Sequence, residues 1–322
     1  MPLSRRHFLA GAGLTGGTLL ANVSVPAVAR APLVDAATLG ALRRNVGSVQ
    51  VTALLDGYID IGSELVIGLA EADAERLAEA SFQKPGPRRA PVNAYLINLG
   101  DRLVLVDAGT SDSMGPSLGR LPAAIEAAGV SPDQIDTLLI THMHPDHING
   151  VLTPAGQALF PNAELVVTAT DYAFWHDDAN MNQAPDEAKP FFIGARKAAA
   201  AYADRLRQVD GEREALGSIR TVPLPGHTPG HAGFIVESDG EALFIWGDVV
   251  HMATYQFARP DWSIAFDVDS KLAAETRKRT LDRVAADRML IAGMHLPFPG
   301  IGHVARDGDA YRFVPDEWPY AL

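Results

Sequence analysis

Thr141-His142-Met143-His144-Pro145-Asp146-His147 constrains this chain more than any other stretch. It follows the apolar run Thr137-Leu138-Leu139-Ile140, which reads as a short buried strand. The motif therefore sits where a strand gives way to a loop. Three imidazoles and one carboxylate fall between His142 and His147. Neutral imidazole nitrogen and carboxylate oxygen are the donors a zinc ion accepts when no thiolate is at hand. Crowding such groups together is unfavourable unless a cation holds them.

A single His-x-His reads more plainly as a polar surface loop. Here the partners continue downstream, each after an apolar run. His227 lies in Pro225-Gly226-His227-Thr228-Pro229-Gly230-His231. Asp248 follows Ala242-Leu243-Phe244-Ile245-Trp246-Gly247, and His295 follows Met289-Leu290-Ile291-Ala292-Gly293-Met294. Loops at strand ends are where rigid scaffolds display chemistry, and a motif of this length has little chance of arising without a metal.

This constellation resembles the metallo-β-lactamase superfamily, over nearly all of the chain after residue 48. The resemblance implies an α/β fold, an αββα sandwich of two mixed β-sheets flanked by helices, with a metal site along one edge. It implies two divalent metal ions, with zinc expected. His142, His144 and His227 would hold the first ion, Asp146, His147 and His295 the second, and Asp248 would bridge them. The chain has no Cys, so the thiolate ligand of the true zinc β-lactamases is missing. A bridging Asp points instead to the lactonase, glyoxalase II and phosphotriesterase-like branches. Leu103-Val104-Leu105-Val106-Asp107-Ala108-Gly109, Gly115-Pro116-Ser117-Leu118-Gly119-Arg120-Leu121, Phe298-Pro299-Gly300-Ile301-Gly302-His303 and Tyr311-Arg312-Phe313-Val314-Pro315 are similar to the methyl parathion hydrolase family. That family contains exported organophosphate hydrolases and related lactone and aryl-ester hydrolases, and it implies a homodimer.

Two such ions would share a bridging water and lower its pKa, making a hydroxide nucleophile at neutral pH. Asp146 is a candidate proton donor to the leaving group. Asp107, at a strand end, is expected to bond a ligating His. His231 is expected to be structural, since seven ligands complete two sites, and His303 to be a loop histidine or a pocket wall. The resemblance places Met114, Trp175 and Phe192 in the substrate pocket, although the two aromatics alone read as core. His251, Ile264 and Phe266 stand where the organophosphate specialists carry Leu, Thr and Leu. These departures favour a flat lactone carbonyl over a bulky phosphotriester, and His251 is a candidate to hydrogen-bond the lactone or its leaving phenolate.

Ser4-Arg5-Arg6-His7-Phe8-Leu9-Ala10, a weakly apolar Gly- and Ala-rich stretch, and Ala27-Val28-Ala29 before Arg30 form a twin-arginine export signal. Residues 1–29 are expected to be removed and 30–322 to form one domain, delivered to the periplasm or secreted. The stretch after Leu9 is interrupted by glycines and polar residues, so stable membrane insertion is not expected. The remaining ~290 residues suit one large domain. A net charge of −12 excludes a nucleic-acid partner, which needs a basic footprint.

Periodicity and breakers predict the following elements. A helix is expected around Ala36 to Arg44, strands over Val49 to Asp60, and a helix over Glu71 to Phe82. A mobile loop is expected over Lys84 to Pro91. A hairpin should turn at Gly100-Asp101, and a helix should run from Ser117 to Ala128. Glu164 to Thr168 reads as a strand and Asp186 to Arg207 as a long helix. A second hairpin should turn at Asp239-Gly240, and Ser270 should cap a helix to Ala286. The resulting expectation is a binuclear hydrolase of lactones or aryl esters, dihydrocoumarin-like aryl lactones first, with weak organophosphate hydrolysis as a side activity. The alternatives are a dedicated organophosphate hydrolase and a non-catalytic metal-binding protein on the same fold.

Overall fold

The computed structural model describes residues 40–84, 86–317 and 319; the expected export signal lies outside them. In chain order the strands of the first half are β1 (Ala41–Val46), β2 (Val49–Ile61), β3 (Val66–Ile67), β4 (Arg88–Asn98), β5 (Leu103–Val106), β6 (Thr137–Leu139), β7 (Glu164–Thr168) and β8 (Leu206–Val209). The second half supplies β9 (Glu214–Leu216), β10 (Ile219–Pro223), β11 (Ala232–Ser238), β12 (Glu241–Ile245), β13 (Ser263–Ile264), β14 (Leu290–Ala292), β15 (Ile301–Asp307) and β16 (Ala310–Pro315). The helices are α1 (Glu71–Ala80), α2 (Leu121–Ala127), α3 (Pro145–Ile148), α4 (Ala169–His176), α5 (Asp178–Gln183), α6 (Lys189–Ala201), α7 (Ala253–Gln256) and α8 (Ser270–Ala286).

Two seven-stranded sheets result, ordered β1-β2-β4-β5-β6-β7-β8 and β16-β15-β14-β12-β11-β10-β9. Both are mixed: β5 to β8 pair in parallel, as do β12 and β14, and the other neighbours are antiparallel. The period of two in strand side chains sorts the core into layers. Val104, Val106, Leu243 and Ile245 enter the layer between the sheets with Tyr95, Ile97 and Phe234. Their alternates face outward. Leu105 meets Ile125 of α2 and Ala195 and Ala198 of α6, whereas Phe244 meets Leu281 and Val284 of α8. This is the expected αββα sandwich.

Five local expectations need correction. Ala41 to Arg44 is not helix but strand, because a turn at Gly47 lets β1 pair with the whole of Val49–Leu54. The loop expected over Lys84 to Pro91 is ordered from Arg88 onward as β4. Pro91 is tolerated there because β5 joins β4 only from Tyr95, leaving an edge where no N–H is needed. Helix α2 starts at Leu121 rather than Ser117, since the buried Asp56 carboxylate accepts the Gly119 and Leu121 N–H groups and holds the preceding turn. Helix α6 stops at Ala201, and Leu206–Val209 leaves it to pair with β7. The cap of α8 is Asp269, whose Oδ1 accepts the Leu272 N–H at 2.9 Å, not Ser270.

Candidate metal centre

The sandwich brings the ends of β6, β12 and β14 to one edge, and the sequence motifs hang from them. His142 and His144 lie on the loop after β6. His144 precedes α3, with Pro145 in its first turn, and α3 carries Asp146 and His147. His227 comes from the loop after β10, Asp248 from the loop after β12, and His295 from the loop after β14.

All seven residues named from the sequence meet in one buried cluster. His144 Nδ1 lies 3.0 Å from His142 Nε2 and 2.9 Å from His227 Nε2. Asp248 Oδ2 lies 3.0 Å from His295 Nε2, 3.3 Å from His147 Nε2, 3.4 Å from His227 Nε2 and 3.8 Å from His142 Nε2. Asp146 Oδ2 is 3.4 Å from both His147 Nε2 and His295 Nε2. The donors fall into a His142–His144–His227 group and an Asp146–His147–His295 group, with Asp248 between them.

The far side of several imidazoles is held by protein. His147 Nδ1 sits 2.7 Å from Asp107 Oδ2, as expected of Asp107. Asp107 also accepts the Thr141 N–H and hydroxyl, and Thr141 Oγ1 is 3.1 Å from His142 Nδ1. His227 Nδ1 sits 2.8 Å from Asp267 Oδ1, and His295 Nδ1 donates to the Pro91 carbonyl at 2.9 Å. His231 is committed at both nitrogens. Its Nδ1 donates to Leu224 O and its Nε2 accepts the Asp248 N–H, each at 2.9 Å. Gly247 permits that bond: its φ is +59°, and a Cβ there would come within 2.3 Å of His231 Nε2. His303 lies in β15 rather than in a loop, bonded to Met289 O.

Burial, with repulsion from neighbouring imidazoles, holds His142 and His144 well below the ordinary histidine range, so both are neutral donors at neutral pH. Burial likewise pushes His251 down to about 4 and His231 to about 3. His147 goes the other way, because Asp248, Asp146 and Asp107 together outweigh its burial. Burial would raise Asp248, but His147, His295 and His251 keep it ionised.

A cavity opens onto the cluster, lined by Ile59, Ile61, Met114, Phe191 and Phe266 beside His144, Asp146, His227, Asp248, His295 and His251. Met114 and Phe266, which the resemblance assigns to the pocket, both line this cavity and are partly exposed. Trp175 and Phe192 line an adjoining hollow that shares His144, Phe191 and Phe266. Trp175 is pinned by its Nε1–H to Asp171 Oδ2 at 3.1 Å, and Phe191, one residue before the expected Phe192, faces the cluster cavity. Ile264 does not line it. It is buried in β13 against Ile61, Val66 and Trp262, because its strand pairs with β3.

Sequence reasoning missed three side chains that hold the site. Asp267 fixes His227 and accepts the Ile264 N–H. Gln256 Oε1 accepts the His251 and Met252 N–H groups, and its Nε2 donates to Trp262 O. Arg277, buried on α8, donates to Val249 O, Pro260 O and Trp262 O and lies 3.8 Å from Asp267 Oδ2. No motif marks any of them: Gln256 and Arg277 act through backbone groups, and Asp267 reaches His227 from 40 residues away.

The family model described as "Metallo-beta-lactamase superfamily" matches residues 87–295. Among curated proteins, the uncharacterized protein YobT of Bacillus subtilis (strain 168) is 28% identical over 158 residues, 49% of this chain and 62% of YobT. The N-acyl homoserine lactonase AiiB of Agrobacterium fabrum is 26% identical over 184 residues, 51% of this chain and 64% of AiiB. The chain thus spans a little under two thirds of the length of these curated relatives. Among solved structures, the hydrolase AbOPH is 33% identical, with a TM-score of 0.83 over 88% of this chain and 100% of that one. The dizinc quorum-quenching lactonase AidC superposes with a TM-score of 0.83 at 23% identity, over 87% of this chain and 99% of that one, which speaks for the fold.

Proposed function

We propose that this chain, which belongs to the metallo-beta-lactamase superfamily, hydrolyses lactones and aryl esters at a centre of two divalent ions, zinc in the first instance, with aryl lactones of the dihydrocoumarin kind favoured. The observation that carries the reading is the convergence of five imidazoles and two carboxylates on one buried point at the floor of an apolar cavity. The residues fit such ions. Among the described residues, His147 Nε2 and Asp248 Oδ1 are buried with no hydrogen-bond partner, a costly state that a cation relieves. Imidazoles and carboxylates without thiolate suit zinc and related divalent metals.

Bound there, divalent ions supply Lewis-acid activation of water and of the substrate's carbonyl oxygen. The chain's own residues do the rest. Asp107, Asp267 and the Pro91 carbonyl each hold one nitrogen of His147, His227 and His295, directing the other nitrogen inward. Ile59, Ile61, Phe191 and Phe266 wall the cavity with apolar surface that packs on a substrate ring and excludes water. Asp146, which lines the cavity, would take up a proton at its carboxylate and pass it to the departing oxygen. The lactonase relatives support lactones as the substrate class. His251 and Phe266 beside the donors narrow the room for the three substituents of a phosphotriester, which makes organophosphate hydrolysis a side activity.

The test is a rate comparison on one zinc-loaded preparation, using dihydrocoumarin, an N-acyl homoserine lactone, an aryl ester and methyl parathion. Dihydrocoumarin should have the highest kcat/KM. A preference for methyl parathion would replace this reading with a dedicated phosphotriesterase, and no activity on any of the four would end it. His142→Ala and Asp248→Ala should each lower the rate by orders of magnitude.

A further inference from the structure

His251 is the one buried imidazole in this region whose ring makes no hydrogen bond at either nitrogen among the described residues. Leaving two buried polar atoms unsatisfied is unfavourable unless another group meets them. The ring is nevertheless held in place from behind, because its backbone N–H donates to Gln256 Oε1 at 2.8 Å. Its face stacks on His295 at 5.3 Å between centroids, and it lies tilted against His227 at 4.5 Å. Nε2 is directed into the cluster and stops 3.0 Å from Asp248 Oδ2, in an orientation that forms no hydrogen bond. His251, Asp248 and His227 each offer a donor atom within 4.8 Å of the others.

His231 provides the internal contrast. It is equally buried and only four residues from His227, yet both its nitrogens are taken by backbone groups. The protein therefore separates its spare histidines into one that is committed and one that is left as a donor.

We propose that His251 Nε2 is an eighth metal donor, joining His227 and Asp248 to hold the ion on the His227 side of the cluster. This rests on the metal-centre reading above and deepens it. The ring lacks the carboxylate or carbonyl partner that holds His147, His227 and His295, so it is the donor most easily given up when a substrate oxygen needs a place. Replacing it with an apolar residue would then alter the coordination of the ion as well as the shape of the pocket.

Zinc affinity is measured by competition with a chromogenic chelator for the wild type and for His251→Leu and His251→Gln. Visible spectra of the cobalt(II)-substituted proteins report coordination directly. One zinc equivalent should loosen by about tenfold or more in His251→Leu, since loss even of a residue that only orients a ligand costs about 10–100-fold. The cobalt spectrum should change in the same variant, and added imidazole should restore it in His251→Ala. Affinity within twofold of wild type, or a loss of affinity with the cobalt spectrum unchanged, would overturn the proposal, because losing a nitrogen donor must change the ligand field. A wild-type protein that binds no divalent ion would overturn the metal-centre reading itself, whereas tight wild-type binding with indifferent variants overturns only the role of His251.

Discussion

Asp267 shows how little of a metal site is made by its donors. Its side chain is fully buried, 2.8 Å from His227 Nδ1 and 3.8 Å from the Arg277 guanidinium. One of its oxygens orients the imidazole while the other accepts the Ile264 N–H. Asp267→Asn keeps the shape but removes the charge that polarises His227, and should weaken metal binding by roughly 10–100-fold with little change in fold. Chelator competition together with circular dichroism checks this; unchanged affinity would reduce Asp267 to a loop strut. Substrate choice is a residue-scale matter too. His251→Leu combined with Phe266→Leu removes a buried polar group and trims the half-exposed wall of the cavity. The ratio of kcat/KM for methyl parathion to that for dihydrocoumarin should rise by about one to two decades, at ~1–3 kcal/mol per group. A constant ratio would show that these two positions do not set specificity.

At the scale of elements, the site depends on two loops tied together from behind. The loop after β12 carries Asp248 and His251, and the segment from Pro260 to Asp267 carries Phe266. Gln256 and Arg277 bond backbone groups of both and share the Trp262 carbonyl. Arg277→Met would leave these carbonyls unpaired and strand the Asp267 charge. Breaking a buried ion pair in this way costs about 3–5 kcal/mol, readable as a lowered urea midpoint. A change below 1 kcal/mol would mean that solvent or another side chain takes over. Element boundaries also moved for tertiary reasons. The segment after Ala201 continues a helical pattern on paper, but β7 offers it a parallel partner. Ser117 to Arg120 would extend α2, but Asp56 claims their turn.

Over the whole molecule, the cluster concentrates polar groups that the fold alone satisfies poorly. Metal should therefore stabilise the native state by mass action. With free zinc at about a hundred times its Kd the gain is ~2.7 kcal/mol, or roughly 4–5 °C in Tm for a domain of this size. Calorimetry with and without a chelator reads this directly, and an identical Tm would argue against native-state metal. Among the described residues no helix is long and apolar enough to cross a membrane. We also propose, from Ser4 to Ala10, that the chain travels by the twin-arginine route. Arg5→Lys with Arg6→Lys should leave precursor in the cytoplasm, and normal periplasmic delivery would refute the assignment.

The donors were legible because metal chemistry restricts them to few residue types, and because each follows an apolar strand that ends at the same edge of the sandwich. The layers were legible for a similar reason. Alternation along β5 and β12 leaves no other way to bury both faces of each sheet. What the letters could not show was which side chains support the donors and which aromatic faces the cavity. Phe191 and Phe192 are equivalent on paper, and only the rotation of α6 against Trp175 and Asn149 selects between them. The resemblance counted Ile264 among the positions that set substrate choice, yet in space it is buried in β13. His231 and His251 look alike in sequence, and they part only when the tertiary structure brings the Leu224 carbonyl and the Asp248 amide to one and nothing to the other. Pattern in a chain records what must be buried or ligated; hydrogen-bond partners come from segments far apart in sequence, and packing alone decides which of them meet.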